Sequence, residues 1–451
     1  MAHRLTAYAR TMPFVLALLP GASFAMDLVE AYRAAIAIDP LVASANSQLA
    51  ATRERVPQAK SGLLPAINAT AAVSRQRVDP NIGVNRTFTP QSYGVNLSYP
   101  LLRLQNVETF EQSKLAVAAG ETQLELARQD LIVRVTLAYF DVLAAQDNLE
   151  TIQAQKRAIT EQLASAKRNF EVGTATITDQ QEAQSRFDLS EAQEAVATFE
   201  LNTKRAALAQ LIGKPAPELS VLRPGILLSV PGPARESEWT ERARADNLLV
   251  QQARVATEIA TREIDKQRYG HYPTLDLVGS VGYAESSTAQ LFNINYNQAA
   301  IGVQFNLPLY AGGGIDAKVR EAAALKDKSF SDLENARRQA EQTARQSFLA
   351  VNGGLAQVRA LEAAEKSSKL ALDSNLLGYQ VGVRINIDVL NAQQQLYTTQ
   401  RDLSKARYDV ILNGMRLKLT TGGLSEEDLE RVSKLLEPPT AAAPVTAPAT
   451  K

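Results

Sequence analysis

Two glycine-centred segments of this 451-residue sequence gather polar and charged side chains where a long helix folds back on the next. One reads Asn169-Phe-Glu-Val-Gly173-Thr-Ala-Thr176-Ile-Thr178-Asp179 and the other Gly378-Tyr379-Gln-Val-Gly382-Val-Arg384-Ile-Asn386-Ile-Asp388. Between them they offer a guanidinium, three carboxylates and a phenol, and hydrogen bonds to charged groups are roughly twice as strong as neutral ones. Purely local roles compete for the same residues. Thr176, with Asp179 three positions later, resembles a capping box that starts a helix, and Arg384 can remain a solvated turn residue. Gly173 and Gly382 suit the left-handed position that ends a helix.

Catalytic chemistry finds little footing elsewhere. The absence of cysteine removes disulfides, thiolate metal sites, thiol catalysis and a lipidated N-terminal cysteine together. His3 and His271 are the two histidines, so no histidine pair can build a metal site and a triad would rest on His271 alone. Basic and acidic residues balance at 48 each, which argues against the basic stripe of a nucleic-acid binder. Gly312-Gly313-Gly314 lacks the Gly-Lys-Ser/Thr of a phosphate loop; it suits a bend from a strand into a helix. No catalytic residue, cofactor or metal is expected, and the protein is not expected to be an enzyme.

These turns must be positioned by a larger plan, and that plan is repeated. Residues 1–25 read as a secretory signal, with Arg4 and Arg10 before the apolar run Phe14–Leu19 and a small-x-small site at Ser23-Phe24-Ala25. Its removal would leave Met26 first and 46 basic against 48 acidic residues. Beyond it, Pro65 and Pro273, Gly94 and Gly302, and Pro100 and Pro308 are all 208 positions apart. Gly173 and Gly382, Asp179 and Asp388, and Gln184 and Gln393 are 209 apart. Residues 26–225 and 236–430 are thus expected to be two copies of one unit. A Pro- and Gly-rich linker at 226–235 separates them, and a tail at 431–451 is expected to be disordered from about 438.

Each copy carries two segments that alternate apolar and small or polar residues. They are Ile67–Val73 and Tyr93–Leu101 in the first, and Leu275–Tyr283 and Ile301–Leu309 in the second. Period two over about ten residues is the pattern of a membrane-crossing β-strand. The rest reads as long helices. From Val117 to Phe170 apolar or small residues recur at steps of three and four, interrupted at Lys156, with Glu365 in the matching place of the second copy. Four such strands cannot close a barrel, and open sheet edges are not tolerated in lipid. Several copies must share one barrel. Three give twelve strands, between the eight that side chains fill and the larger open porins.

The duplicated plan, with Tyr379-x-Val-Gly382-x-Arg384-x-x-x-Asp388-Val-Leu and Val172-Gly173-x-x-x-Ile177-Thr178-Asp179, resembles the TolC family of outer-membrane efflux ducts over nearly all of residues 27–430. The resemblance implies an α+β membrane protein of a Gram-negative bacterium. It would be a homotrimer with a 12-stranded β-barrel, four strands per chain, continuous with a long α-helical coiled-coil tunnel through the periplasm. It would export drugs or unfolded proteins from the cell, working with a periplasmic adaptor (membrane fusion) protein and an inner-membrane transporter of ABC or RND type. Without a lipid-anchor cysteine the chain resembles the branch that also serves type I secretion.

The resemblance also assigns roles. Thr178 and Asp179 on one side, and Tyr379 and Arg384 on the other, match the latch that holds the periplasmic tip closed. Asp388 matches an aspartate ring that narrows the tunnel and binds cations. A second aspartate of that ring is replaced here by Asn391. The competing reading is a periplasmic coiled-coil structural or adaptor protein with no pore of its own.

Overall fold

The computed structural model describes residues 25–79, 85–226, 228–287 and 293–439. Residues 1–24 of the expected signal segment, and the expected tail from 440 onward, lie outside the described residues.

Three helices open the chain: α1 (Leu28–Ile36), α2 (Pro40–Arg53) and α3 (Arg55–Ser61). Strands β1 (Ala66–Val73), β2 (Gln76–Val78), β3 (Arg86–Phe88) and β4 (Gln91–Leu102) follow, then the long helices α4 (Leu104–Glu171) and α5 (Ile177–Ile212). After β5 (Val221–Leu222) the plan recurs with α6 (Glu236–Asp246), α7 (Leu248–Arg268), β6 (Thr274–Ser287), β7 (Asn293–Asn306), α8 (Gly314–Gln380) and α9 (Asn386–Thr420). Helix α10 (Glu426–Ser433) and β8 (Leu436–Glu437) close it.

The four alternating segments form one antiparallel sheet in the order β1-β4-β6-β7. Register carries the alternation from strand to strand. Ile67 faces Leu97, Leu97 faces Gly279 and Gly279 faces Ile301, so the apolar residues share one side. Asn68, Asn96, Ser280 and Ala300 stand opposite one another on the other side. The apolar face has no cover within the protomer: Ile67 is 70% exposed and Ile301 78%. Strands β1 and β7 form the borders of this sheet and have no outer neighbour in it. At its centre β4 and β6 approach closely, and a Cβ on Gly282 would lie 2.7 Å from the Tyr93 carbonyl oxygen. The rings of Tyr93 and Tyr283 stack 5.0 Å apart on the apolar side.

Helices α4 and α8 run 68 and 67 residues, about 100 Å at 1.5 Å per residue. No helix among the described residues is long and apolar enough to cross a membrane. Helix α4 packs along α5, α8 along α9, and α4 also meets α7 and α9. The apolar steps of α4 are buried as their spacing requires, with Leu131 and Val135 fully enclosed. Lys156, the break in that series, ion-pairs with Glu191 at 3.3 Å and Glu194 at 3.0 Å on α5. Glu365, its counterpart, accepts a hydrogen bond from the Gln400 amide at 3.0 Å. A polar group in each seam is thus satisfied across its own hairpin.

The main core lies around the middle of α4. Tyr139, fully buried, has its hydroxyl 3.0 Å from the Met26 carbonyl and 2.8 Å from that of Ser220. It belongs to one buried apolar cluster with Leu28, Ala31, Leu208, Leu429 and Leu436. The short helices therefore wrap one level of the long ones. Regular structure continues past the expected repeat boundary at 430. Helix α10 extends to Ser433, and β8 pairs with β5 through Leu436 opposite Leu222. The reason is packing, since Leu429, Val432 and Leu436 complete this core.

Candidate functional site

The two hairpin turns are built alike. Helix α4 ends with Gly173 at φ 77°, where the Thr174 amide donates to Asn169 oxygen at 2.8 Å and the Gly173 amide to Phe170 oxygen at 3.0 Å. Helix α8 ends with Gly382 at φ 78°, and the Val383 and Gly382 amides donate to Gly378 and Tyr379 oxygens at 2.8 and 3.1 Å. Both are the double closure that satisfies the last carbonyls of a helix, and its left-handed residue favours glycine.

The helices that leave these turns begin differently. Thr176 caps α5: its hydroxyl oxygen accepts from the Asp179 amide at 3.2 Å, while the Asp179 carboxylate accepts from the Thr176 amide at 3.0 Å and hydroxyl at 2.7 Å. At the matching place α9 has Ile385, which offers no side-chain cap. Asp388 is thereby free of capping and faces Arg384, with Nη1 to Oδ2 at 3.6 Å. The two aspartates occupy matching positions in their hairpins, yet one serves a helix end and the other carries an exposed ion pair.

The expected latch residues are thus brought to one end of the molecule, but the expected Arg384–Asp179 bond is not formed within one chain. Arg384 pairs with Asp388, and the Asp179 carboxylate is taken by Thr176. Tyr379 does not reach Asp179 either. Its hydroxyl accepts from the Asn169 amide at 3.2 Å. Thr178 is exposed on the first turn of α5. Asn391, expected beside Asp388 at the constriction, accepts from Arg186 of α5 at 3.1 Å.

Sequence reasoning missed what joins the two hairpins within the chain. Gln155 donates to Gln394 at 2.6 Å, Gln162 donates to Asn386, and Asn169 donates to Tyr379. Asn386, 2% exposed, also donates to the Asp179 carbonyl at 3.3 Å. The signal was present: Asn148, Gln155, Gln162 and Asn169 are amides spaced seven apart, which places them on one side of α4. Each neutral hydrogen bond contributes about 0.5–1.5 kcal/mol net, and the exposed Arg384–Asp388 pair about 0–1 kcal/mol. The ends of the hairpins are therefore joined by contacts that can be exchanged at low cost.

Comparison with known proteins bears on this arrangement. The family model for outer membrane efflux protein matches twice, at residues 31–214 and 239–423. The outer membrane protein TolC of Vibrio cholerae is 34% identical over 92% of this chain and 95% of its own length. The alkaline protease secretion protein AprF of Pseudomonas aeruginosa is 30% identical over 93% of this chain and 89% of its own. Among solved structures, the Campylobacter jejuni CmeC outer membrane channel superposes with a TM-score of 0.77 at 18% identity, covering 97% of this chain and 98% of that one. That likeness shows a shared fold.

Proposed function

The chain belongs to the outer membrane efflux protein family, and from that premise we propose that three copies close one barrel and form a duct gated at the hairpin tips. As a member of the family the protein is an outer-membrane exit duct for efflux or type I secretion and extends into the periplasm. One observation carries the trimer reading: a four-stranded sheet with an uncovered apolar face and two unpaired borders. In lipid those borders must find strands of other copies, and three sheets supply the twelve strands of a barrel with a lumen.

In this reading the apolar face meets outer-membrane lipid, the Asn, Ser and Gln face lines the lumen, and the hairpins descend as the tunnel wall. Gating lies at the tips. Arg384 and Tyr379 of one protomer reach Thr178 and Asp179 of the next to complete the latch, and Asp388 lines the constriction as a single acidic ring, with Asn391 a turn further on. A periplasmic adaptor and an inner-membrane ABC or RND transporter open the tip. The cargo is drugs or unfolded polypeptide, the latter supported by the likeness to AprF, named for alkaline protease secretion. The adaptor alternative has no use for the uncovered apolar sheet.

Fractionation with unboiled electrophoresis tests this reading. Heat-modifiable trimers in the outer membrane that conduct in planar bilayers are expected. A monomer recovered in the periplasm without detergent overturns it.

A further inference from the structure

The four strands of the large sheet carry two charged side chains, Asp276 and Glu285. Glu285 sits toward the end of β6 remote from the long helices and accepts hydrogen bonds from the Tyr283 hydroxyl and the Gln91 amide. Asp276 lies at the helix-side end, on the polar face with Ser280 and opposite Gln304, and is 7% exposed. A carboxylate so enclosed needs a partner. Arg103 provides a bidentate one, with Nε donating to Oδ1 at 2.8 Å and Nη2 to Oδ2 at 2.6 Å.

Simple alternation would not bring Arg103 to that face. From Tyr93 to Leu101 the odd-numbered residues of β4 belong to the apolar side, and Arg103 continues their count. The pairing with β6 slips between Pro100, opposite Asp276, and Leu102, opposite Leu275. A bulge inserts one residue and reverses the facing of everything after it. Leu102 thus takes an apolar-side place, and Arg103 turns to the polar side, one residue before α4 begins. The irregularity delivers a positive charge to the single negative charge on that face.

We propose that Arg103 sets the charge selectivity of the barrel mouth: three Arg103–Asp276 pairs ring its helix-side end and cancel what would otherwise be three lumenal carboxylates. The mouth then admits anionic and cationic cargo alike, and discrimination by charge is left to the tip. This rests on the trimeric duct described under the proposed function, and it assigns that duct a second, neutral ring distinct from Asp388.

The test is the reversal potential of full-length protein in planar bilayers under a tenfold potassium chloride gradient. It is read at low ionic strength, where screening extends to about 30 Å at 0.01 M rather than about 10 Å at 0.1 M. Asp276→Asn, leaving three guanidiniums, is expected to shift the potential toward chloride permeation. Arg103→Gln, leaving three carboxylates, is expected to shift it toward potassium, and the double variant to return it to the wild-type value. A merely structural pair would move both single variants the same way or not at all, and either result overturns the proposal. Should the single variants not assemble, the exchange of Arg103→Asp with Asp276→Arg decides. It should assemble with wild-type selectivity, and failure on either count overturns the proposal. A wild-type protein that does not conduct would instead refute the duct reading itself.

Discussion

Tyr408 on α9 donates its hydroxyl to Asp147 on α4 over 2.8 Å, a bond that ties the second hairpin to the first. Burial pushes the Asp147 carboxyl above its ordinary range and Glu150 adds to this, while hydrogen bonds from Tyr408 and Ser404 and the charge of Arg407 oppose it. A raised folded value means the native chain holds this proton more tightly than the unfolded chain. Its contribution to stability therefore falls as pH rises from the unfolded carboxyl value, about 3.9, through the folded one. Asp147→Asn keeps an acceptor for Tyr408 and removes the charge. It should hold or raise the melting temperature at neutral pH and flatten its decline with rising pH. Parallel pH profiles for variant and wild type would show that Asp147 does not set this slope. Tyr408→Phe leaves the carboxylate one donor short and should cost about 1–3 kcal/mol.

Asn386 joins Gln162 to the Asp179 carbonyl. Asn386→Leu leaves the Gln162 amide buried without its acceptor, a penalty of about 1–3 kcal/mol confined to the tip. The expected result is a larger single-channel conductance with a small change in the melting temperature of the whole assembly. A conductance equal to wild type would remove the amide ladder from the gate.

Arg384→Ser combined with Asp179→Ala should raise single-channel conductance by removing the proposed contact between protomers. Because Asp179 also serves the capping box of α5, its loss costs about 0.5–2 kcal/mol on its own account. Thr176→Ala, which removes the cap and spares both charges, separates the two effects. Equal conductances in the double variant and in Thr176→Ala would assign Asp179 to the helix end alone.

Asp388 is held 3.6 Å from Arg384 and is uncapped. Asp388→Ala should weaken cation preference, and an unaltered reversal potential counts against an acidic ring. Asn391→Asp should strengthen it by supplying a second ring.

The elements that reach farthest were the easiest to read. Alternation across Ile67–Val73 and its three counterparts located the sheet, because lipid and lumen impose opposite chemistry on successive residues. The steps from Val117 to Phe170 located α4, because two neighbouring helices demand the same face over many turns. The short elements were illegible for the converse reason. Two-residue β5 and β8 exist only because Leu222 and Leu436 meet across nearly half the chain, and α10 is held by the core around Tyr139. At the tip, Gly173 and Gly382 end the long helices, and Asp179 and Asp388 lie in the first turns of α5 and α9. The Arg384–Asp179 contact rests on the family resemblance; within one chain Arg384 pairs with Asp388 and Asp179 with Thr176, and the repeat gives no sign that Ile385 stands where Thr176 caps α5. The bulge beside Leu102 was equally invisible, since a one-residue slip leaves composition and spacing untouched.

The bare margins of β1 and β7 also dictate how such a protein can be made. On the proposed trimeric barrel a solitary subunit would leave two unpaired strand borders in lipid, so insertion and ring closure are expected as one event, after subunits have met outside the bilayer. Shortened copies that retain β1 but lack β7 could enter a nascent ring and never seal it. Co-expressed with the intact chain, they should poison it, and biogenesis would fail in proportion to more than their own number.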